Sequence, residues 1–282
     1  MDKIINTESS GGDNQNNNSL TTTFTESGIR KNSKTRILGC KEICIFQETD
    51  STNIQAFKIA SNGAPEGSIV IAECQTGGKG RFGRKWVSPS GKNLYLSIIV
   101  RPDIPAQFAP KLTLVTAVAL SDTLEAAGAK NHMIKWPNDI LFNDKKISGI
   151  LTEMKGGSDR VDFIIIGVGV NLNSSQDDYT VEIKDSAVSL KDILGKEINR
   201  IEFLNSFLFH FETNYSEFIH GRFPEILSKW IQKSGIINRR IEVTNFDDVI
   251  TGIVTEVTPE GNLMLQTADG IRHIHSGDIN YI

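Results

Sequence analysis

One stretch, Gly78-Lys79-Gly80-Arg81-Phe82-Gly83-Arg84-Lys85-Trp86-Val87, limits what this chain can fold into more than any other. Its glycines let the backbone wrap closely around a ligand, and Lys79, Arg81, Arg84 and Lys85 are threaded among them. A loop that is both glycine-rich and basic suits closure on an anion, most often a phosphate. The flanks decide which kind of loop it is. Residues 68–75 (SIVIAECQ) read as a buried strand and residues 94–100 (LYLSIIV) as another, so the loop joins strand to strand. Residues 78–83 match G-x-G-x-x-G, but a dinucleotide fingerprint needs a helix directly after the glycines. Ser88-Pro89-Ser90-Gly91 leads into a strand instead. A protein-kinase glycine loop does lie between strands, yet V-A-I-K, H-R-D and D-F-G are missing. There is no Walker A loop.

A chain of 282 residues can bury a sizeable core, and one large domain with a smaller one is expected. The net charge of −4 argues against a broad nucleic-acid surface, so the cations of residues 79–85 are a local device. No apolar run is long enough to span a membrane, and no signal-peptide core opens the chain. Cys40, Cys44 and Cys74 show no metal-ligand spacing and read as reduced thiols of a cytoplasmic protein.

Residues 1–35 are rich in Asn, Ser, Thr and Gly and are read as a disordered leader. Residues 36–235 form the expected main domain, α+β, with a mixed or antiparallel sheet and helices. A strand at 42–47 precedes Asp50-Ser51-Thr52-Asn53, which supplies cap chemistry for a helix ending at Asn62-Gly63. A long amphipathic helix is expected over 106–127, a short strand over 132–136, and a hairpin over 140–154 around Asn143-Asp144. A buried strand over 161–171 and a helical stretch over 200–233 complete the domain. Residues 236–282 alternate short strands with turn signals at 245–247, 259–261 and 269–270, the pattern of a small SH3-like β-barrel.

Two further clusters carry chemistry. Lys135-Trp136-Pro137-Asn138-Asp139 places polar groups at a proline-fixed bend, either an ordinary turn or a site. Lys146 opens the apolar strand that follows, where it could snorkel to solvent or aim a point charge at a phosphate or carboxylate. Gly167-x-Gly169-x-Asn171 leaves one face of a strand bare, for close ligand approach or for tight packing.

Order and spacing are more specific than any single part. Asp50-Ser51-Thr52-Asn53, Gln75, GGKGRFGRKWVSPSGKNLYLS, KWPND, KISGIL, GVGVN and a β module ending Ser276-Gly277-Asp278-Ile279 together resemble the biotin–protein ligases over residues 42–282. The resemblance implies a class II synthetase-like catalytic fold. It implies a two-step reaction with ATP, Mg²⁺ and biotin: the biotin carboxylate attacks the α-phosphate of ATP, giving biotinyl-5′-AMP and pyrophosphate, and an acceptor lysine then displaces AMP. The acceptor it implies is the biotin-acceptor domain of a carboxylase, acetyl-CoA carboxylase or pyruvate carboxylase. The chemical problem is to bring a carboxylate against a polyphosphate, which fixed cations in a water-excluded site make feasible.

Residue roles follow from the same resemblance. Ser51, Thr52, Asn53 and Gln75 are expected to meet the ureido head of biotin, and Gly167 and Gly169 to floor its pocket. Lys79, Gly80 and Arg81 close over biotin and the adenylate phosphate. Gly78, Arg84, Trp86, Asn138 and Asn171 face ATP or the adenylate. Lys146 lies between the biotin carboxylate and the α-phosphate. Lys146, Arg81 and Asp139 form the catalytic set, with Asp139 the candidate to meet phosphate-bound Mg²⁺. Two departures stand out: Lys79 replaces a usual arginine and loses its bidentate fork, and Phe82 stands where a cation is common. The N-terminus shows no winged helix, so specific DNA binding is not expected; homodimerisation is left open. The competing readings are a lipoate or octanoate ligase or transferase of the same fold, and a non-catalytic nucleic-acid-binding protein using the basic loop. His273 and His275 read as exposed strand residues, since two ligands make a poor metal site.

Overall fold

The computed structural model describes residues 23–157, 159–245 and 248–282. Phe246 and Asp247, in one expected turn, and residues 1–22 of the expected leader lie outside the described residues. The remainder of that leader corrects the sequence reading. It holds helix α1 (Glu26–Lys31), capped by the Thr25 hydroxyl accepting from Gly28 N. Average composition hid two apolar anchors, Phe24 and Ile29, both buried in the core. Phe24 N also donates to Glu73 Oε1 (2.8 Å), and the Arg200 guanidinium sits 4.5 Å from the Phe24 ring centroid. Glu73 and Arg200 are themselves a buried ion pair at 2.7 Å. The segment is therefore tied to the sheet and to a distant helix by apolar and polar contacts together.

The main sheet has the order β1-β2-β3-β7-β6-β5-β4, formed by β1 (Ile43–Thr49), β2 (Ile69–Gln75), β3 (Leu94–Val100), β4 (His132–Lys135), β5 (Asp139–Phe142), β6 (Lys145–Gly156) and β7 (Val161–Val170). The β1–β2 pair is parallel and every other pair antiparallel, the mixed sheet the sequence led one to expect. The parallel pair is joined through α2 (Thr52–Ser61), whose small residues Ala56 and Ala60 let it lie closely on Val70, Ile99, Phe163 and Ile165. The opposite face carries α3 (Lys111–Ala127), largely buried, ending at Gly128 in the left-handed conformation. The expected start at 106 moves to Lys111 because Pro110, lacking an N–H, cannot sit inside a helix. The expected 200–233 stretch divides into α5 (Arg200–Ile219) and α6 (Phe223–Ser234), parted by Gly221 at φ 80° and followed by Pro224 in the first turn of α6. The short α4 (Leu190–Leu194) precedes them. Asn143 and Asp144, both at positive φ, close the β5–β6 hairpin as a two-residue loop.

The C-terminal strands β8 (Arg240–Asn245), β9 (Asp248–Val257), β10 (Leu263–Thr267), β11 (Gly270–Ile274) and β12 (Asp278–Tyr281) form an antiparallel sheet in the order β11-β10-β9-β8-β12. Ile241, Val243, Val254, Leu263, Leu265 and Ile279 are buried and belong to the same apolar core as α3 and the main sheet. The Trp136 indole N–H donates to Gly261 O (3.0 Å), so the KWPND bend is itself a joint between the two sheets. No helix among the described residues is long and apolar enough to cross a membrane.

Candidate active site

The ends of β2, β5, β6 and β7, the start of α2 and the glycine-basic loop converge on one cavity of about 220 Å³. Ser51, Thr52, Asn53, Gln75, Lys79, Gly80, Arg81, Arg84, Trp86, Asn138, Asp139, Lys146, Gly167, Gly169 and Asn171 all line it. Gly78 does not. A side chain there would meet Trp86 O at 2.5 Å, so Gly78 permits the loop to pass its own returning strand rather than a ligand.

One end of the cavity is polar and neutral. The Thr52 N–H and hydroxyl both reach Gln75 Oε1 (2.8 and 3.2 Å), and Gln75 Nε2 donates to Ser88 Oγ (3.0 Å). Ser97, in the middle of β3, reaches Thr52 Oγ1 (2.8 Å) and Asn53 Oδ1 (2.6 Å). Asn53 Nδ2 donates to Glu153 Oε2 (2.7 Å). Each rotamer is thereby fixed before a ligand arrives, in a setting where an unsatisfied polar group would be costly. Ser88 and Ser97 lie inside the motif GGKGRFGRKWVSPSGKNLYLS, but they and Glu153 were given no site role from sequence. A lone serine in LYLSIIV carries no local signal; its role appears only when α2 is laid across β3.

The bare strand face expected at Gly167 and Gly169 exists, but protein side chains use it. A Cβ on Gly167 would fall 2.2 Å from Asn53 Oδ1, and one on Gly169 2.5 Å from the Trp86 indole. Gly149, paired with Gly169 across β6 and β7, meets the same indole. Glycine at these positions lets Asn53 and Trp86 enter and form the wall.

The other end is cationic. The loop closes on itself through Gly80 N to Arg84 O (2.7 Å) and Trp86 N to Gly78 O (2.9 Å), with Phe82 and Gly83 at positive φ at its tip. Lys146 Nζ lies 2.8 Å from Asp139 Oδ1, an ion pair without hydrogen-bond alignment, and 5.5 Å from the Trp86 ring centroid. Asn171 spends its amide on Lys146 O (3.2 Å) and Val188 O (3.3 Å), which holds the backbone beneath the lysine. Asn138 donates to Ile150 O (3.0 Å) and accepts from Arg81 (3.2 Å). Burial lowers the Arg81 pKa, opposed by Asp278 and Asp139; a guanidinium keeps its charge regardless. Burial likewise depresses Lys135, with Asp139 opposing and Lys146 reinforcing. Asp278 of β12 also lines the cavity and pairs with Arg84 and with Arg81. Tyr179, from the segment after β7, adds a buried phenol whose pKa burial pushes up to about 12, so it stays protonated at neutral pH. His273 and His275 are exposed, as expected.

The geometry joins a neutral polar pocket, an apolar middle formed by Ile150, Leu151, Val168 and the Trp86 ring, and a cation cluster. That order suits a ligand with a polar uncharged head, an apolar arm and an anionic tail that must meet a second anion.

Comparison with known proteins gives the same direction. Residues 45–171 match the family described as biotin/lipoate A/B protein ligase, and residues 236–280 the biotin protein ligase C terminal domain. The bifunctional ligase/repressor BirA of Bacillus spizizenii is 41% identical over 257 residues, covering 91% of this chain and 78% of that protein. The biotin–[acetyl-CoA-carboxylase] ligase of Paracoccus denitrificans is 32% identical, over 83% of this chain and 98% of its own length. Among solved structures, a biotin protein ligase from Aquifex aeolicus in complex with biotin and ATP superposes with a TM-score of 0.73 at 31% identity, over 86% of this chain and 99% of that one.

Proposed function

This chain belongs to the biotin protein ligase family, and from that premise we propose that it attaches biotin to a lysine of a carboxylase acceptor domain in two ATP-dependent steps. The observation that carries the reading is the joining, in one cavity, of the Gln75–Thr52–Ser97–Asn53 network to the cations Lys146 and Arg81. The neutral network receives the ureido ring, the apolar middle receives the valeryl arm, and the carboxylate emerges beside Lys146.

In the first step the carboxylate oxygen attacks the α-phosphorus of ATP, and the bond to the β-phosphate oxygen breaks to release pyrophosphate. Lys146 stands at the meeting point of the two anions and offsets their repulsion. Arg81 and Arg84 bind the phosphoryl oxygens, on which negative charge accumulates in the transition state. Among the described residues no three carboxylate, histidine or cysteine side chains cluster into a metal cage. Asp139, whose carboxylate lines the cavity, would be the protein contact for Mg²⁺ carried in on the phosphates, the usual arrangement for that ion. Mg²⁺ would screen the polyphosphate charge. In the second step the neutral amine of the acceptor lysine attacks the anhydride carbonyl and AMP leaves. Trp86 and the closed loop exclude water, which would otherwise hydrolyse the anhydride.

The matched C-terminal domain favours biotin over lipoate or octanoate. The three free cysteines suit a reducing cytoplasm. We assign no DNA contact, because the net charge is −4 and the loop cations face the cavity. Pyrophosphate exchange tests the first step: labelled pyrophosphate should enter ATP only when biotin is present. Exchange driven by lipoate or octanoate, and not by biotin, would transfer the assignment to the sister activity.

A further inference from the structure

Resting on that reading, we infer that Asp278 and the Gly277 carbonyl of the C-terminal module clamp Arg81, so that phosphate recognition by the glycine-basic loop is a two-domain property. Among the described residues the polar contacts of Arg81 fall on one nitrogen: Nη1 reaches Asn138 Oδ1 (3.2 Å), Gly277 O (3.2 Å) and Asp278 Oδ1 (3.5 Å). Among the described residues no hydrogen bond is made by Arg81 Nε or Nη2, which leaves that edge of the fork for two oxygens of a phosphoryl group. The other oxygen of Asp278 takes Arg84, so one carboxylate sets both guanidinium groups.

The clamp is built into the turn before β12. Gly277 has φ 145°, and a Cβ there would fall 2.7 Å from Val243 Cγ1. Its carbonyl is thus placed by backbone that another residue would not adopt and by contact with β8. Asp278 then enters the ladder opposite Thr244. A flexible glycine loop on its own would scatter Arg81 over many rotamers, and ordering a long side chain at the moment of binding costs affinity. Held from the C-terminal module, the fork is already oriented. Asp278 is a positioning residue: it acts on the adenylate through Arg81 and, by its other oxygen, Arg84.

The test uses the full chain. Asp278→Ala should shorten the half-life of enzyme-bound biotinyl-AMP about tenfold and raise KM for ATP, the size expected for one charged hydrogen bond. Biotin Kd and the unfolding midpoint should stay at wild-type values, and Asp278→Glu should recover most of the loss. In an Arg81→Ala/Arg84→Ala background, Asp278→Ala should add less than about twofold, because the carboxylate acts through those two guanidinium groups. Asp278→Asn, isosteric and uncharged, serves if the alanine variant does not fold. Without ligand, trypsin should cut after Arg81 faster in Asp278→Ala than in wild type. Unchanged adenylate half-life, a full independent defect on top of the Arg81→Ala/Arg84→Ala pair, or a joint fall in biotin affinity and midpoint would overturn the clamp. Unchanged trypsin cleavage would overturn it even if the wild type made no adenylate, which is the separate failure of the ligase reading.

Discussion

Gly149 and Gly169 face each other across β6 and β7, and together they make the flat floor on which the Trp86 indole lies. A methyl at 169 would sit 2.5 Å from the ring, closer than any real contact, so the indole must leave. Gly169→Ala should lower biotin-dependent pyrophosphate exchange by about tenfold or more, while the unfolding midpoint falls only a few degrees; normal exchange would show that Trp86 does not build the site. Lys146→Ala removes the cation proposed to lie between the two reacting anions and should reduce exchange below about one hundredth of wild type, without loss of fold. Near-normal exchange would refute its role. The sequence made Lys146 and the alternating glycines visible as candidates because charge at a strand mouth and paired glycines are local signals. What fills the glycine face was hidden, since Trp86 and Asn53 come from a loop and a helix far away in the chain. Ser97 was hidden for the same reason, and Asp278 was visible only as part of a terminal motif with no partner to pair it with.

The elements were legible where pattern and punctuation agreed. LYLSIIV is β3 to the residue, and Asn143-Asp144 closes the β5–β6 hairpin. They were misread where a single residue overrode the average: Pro110 delays α3, and Phe24 and Ile29 anchor a segment that composition alone would leave unfolded; the helical stretch expected over 200–233 stands, parted by Gly221 into α5 and α6. The α3–β4 junction makes a prediction at this scale. His132 Nδ1 lies 2.9 Å from Ala129 O and must carry the proton, so Nε2 accepts from the Ser121 hydroxyl at 2.5 Å. Burial, the largest cause, lowers the imidazole pKa. The folded state therefore holds a neutral ring, while the unfolded chain takes up a proton below its ordinary value of about 6.5. This contribution to stability is full above that pH and is lost as pH falls through it toward the lower folded value. His132→Asn should flatten the fall in stability as pH drops below about 6.5, where one proton is worth up to about 1.4 kcal/mol per pH unit. Denaturant melts at several pH values measure it, and equal slopes in both proteins would contradict the assignment.

At the scale of the whole molecule, the two sheets share one apolar core, and the cavity takes its walls from both. Trp136 bonds to Gly261, and Asp278 reaches Arg81 and Arg84. This joining gives the cavity its cationic end on a chain whose net charge is negative, and it explains why a resemblance spread over 42–282 was more telling than any one motif. This cavity activates biotin and passes it to a lysine. The direct measurement is the intact mass of a carboxylase biotin-acceptor domain after incubation with the full chain, biotin, ATP and Mg²⁺. The acceptor should gain the mass of one biotinyl group on one lysine, absent when ATP is withheld and absent with Lys146→Ala. An unchanged acceptor mass, or addition of lipoyl or octanoyl but never biotinyl, would contradict it.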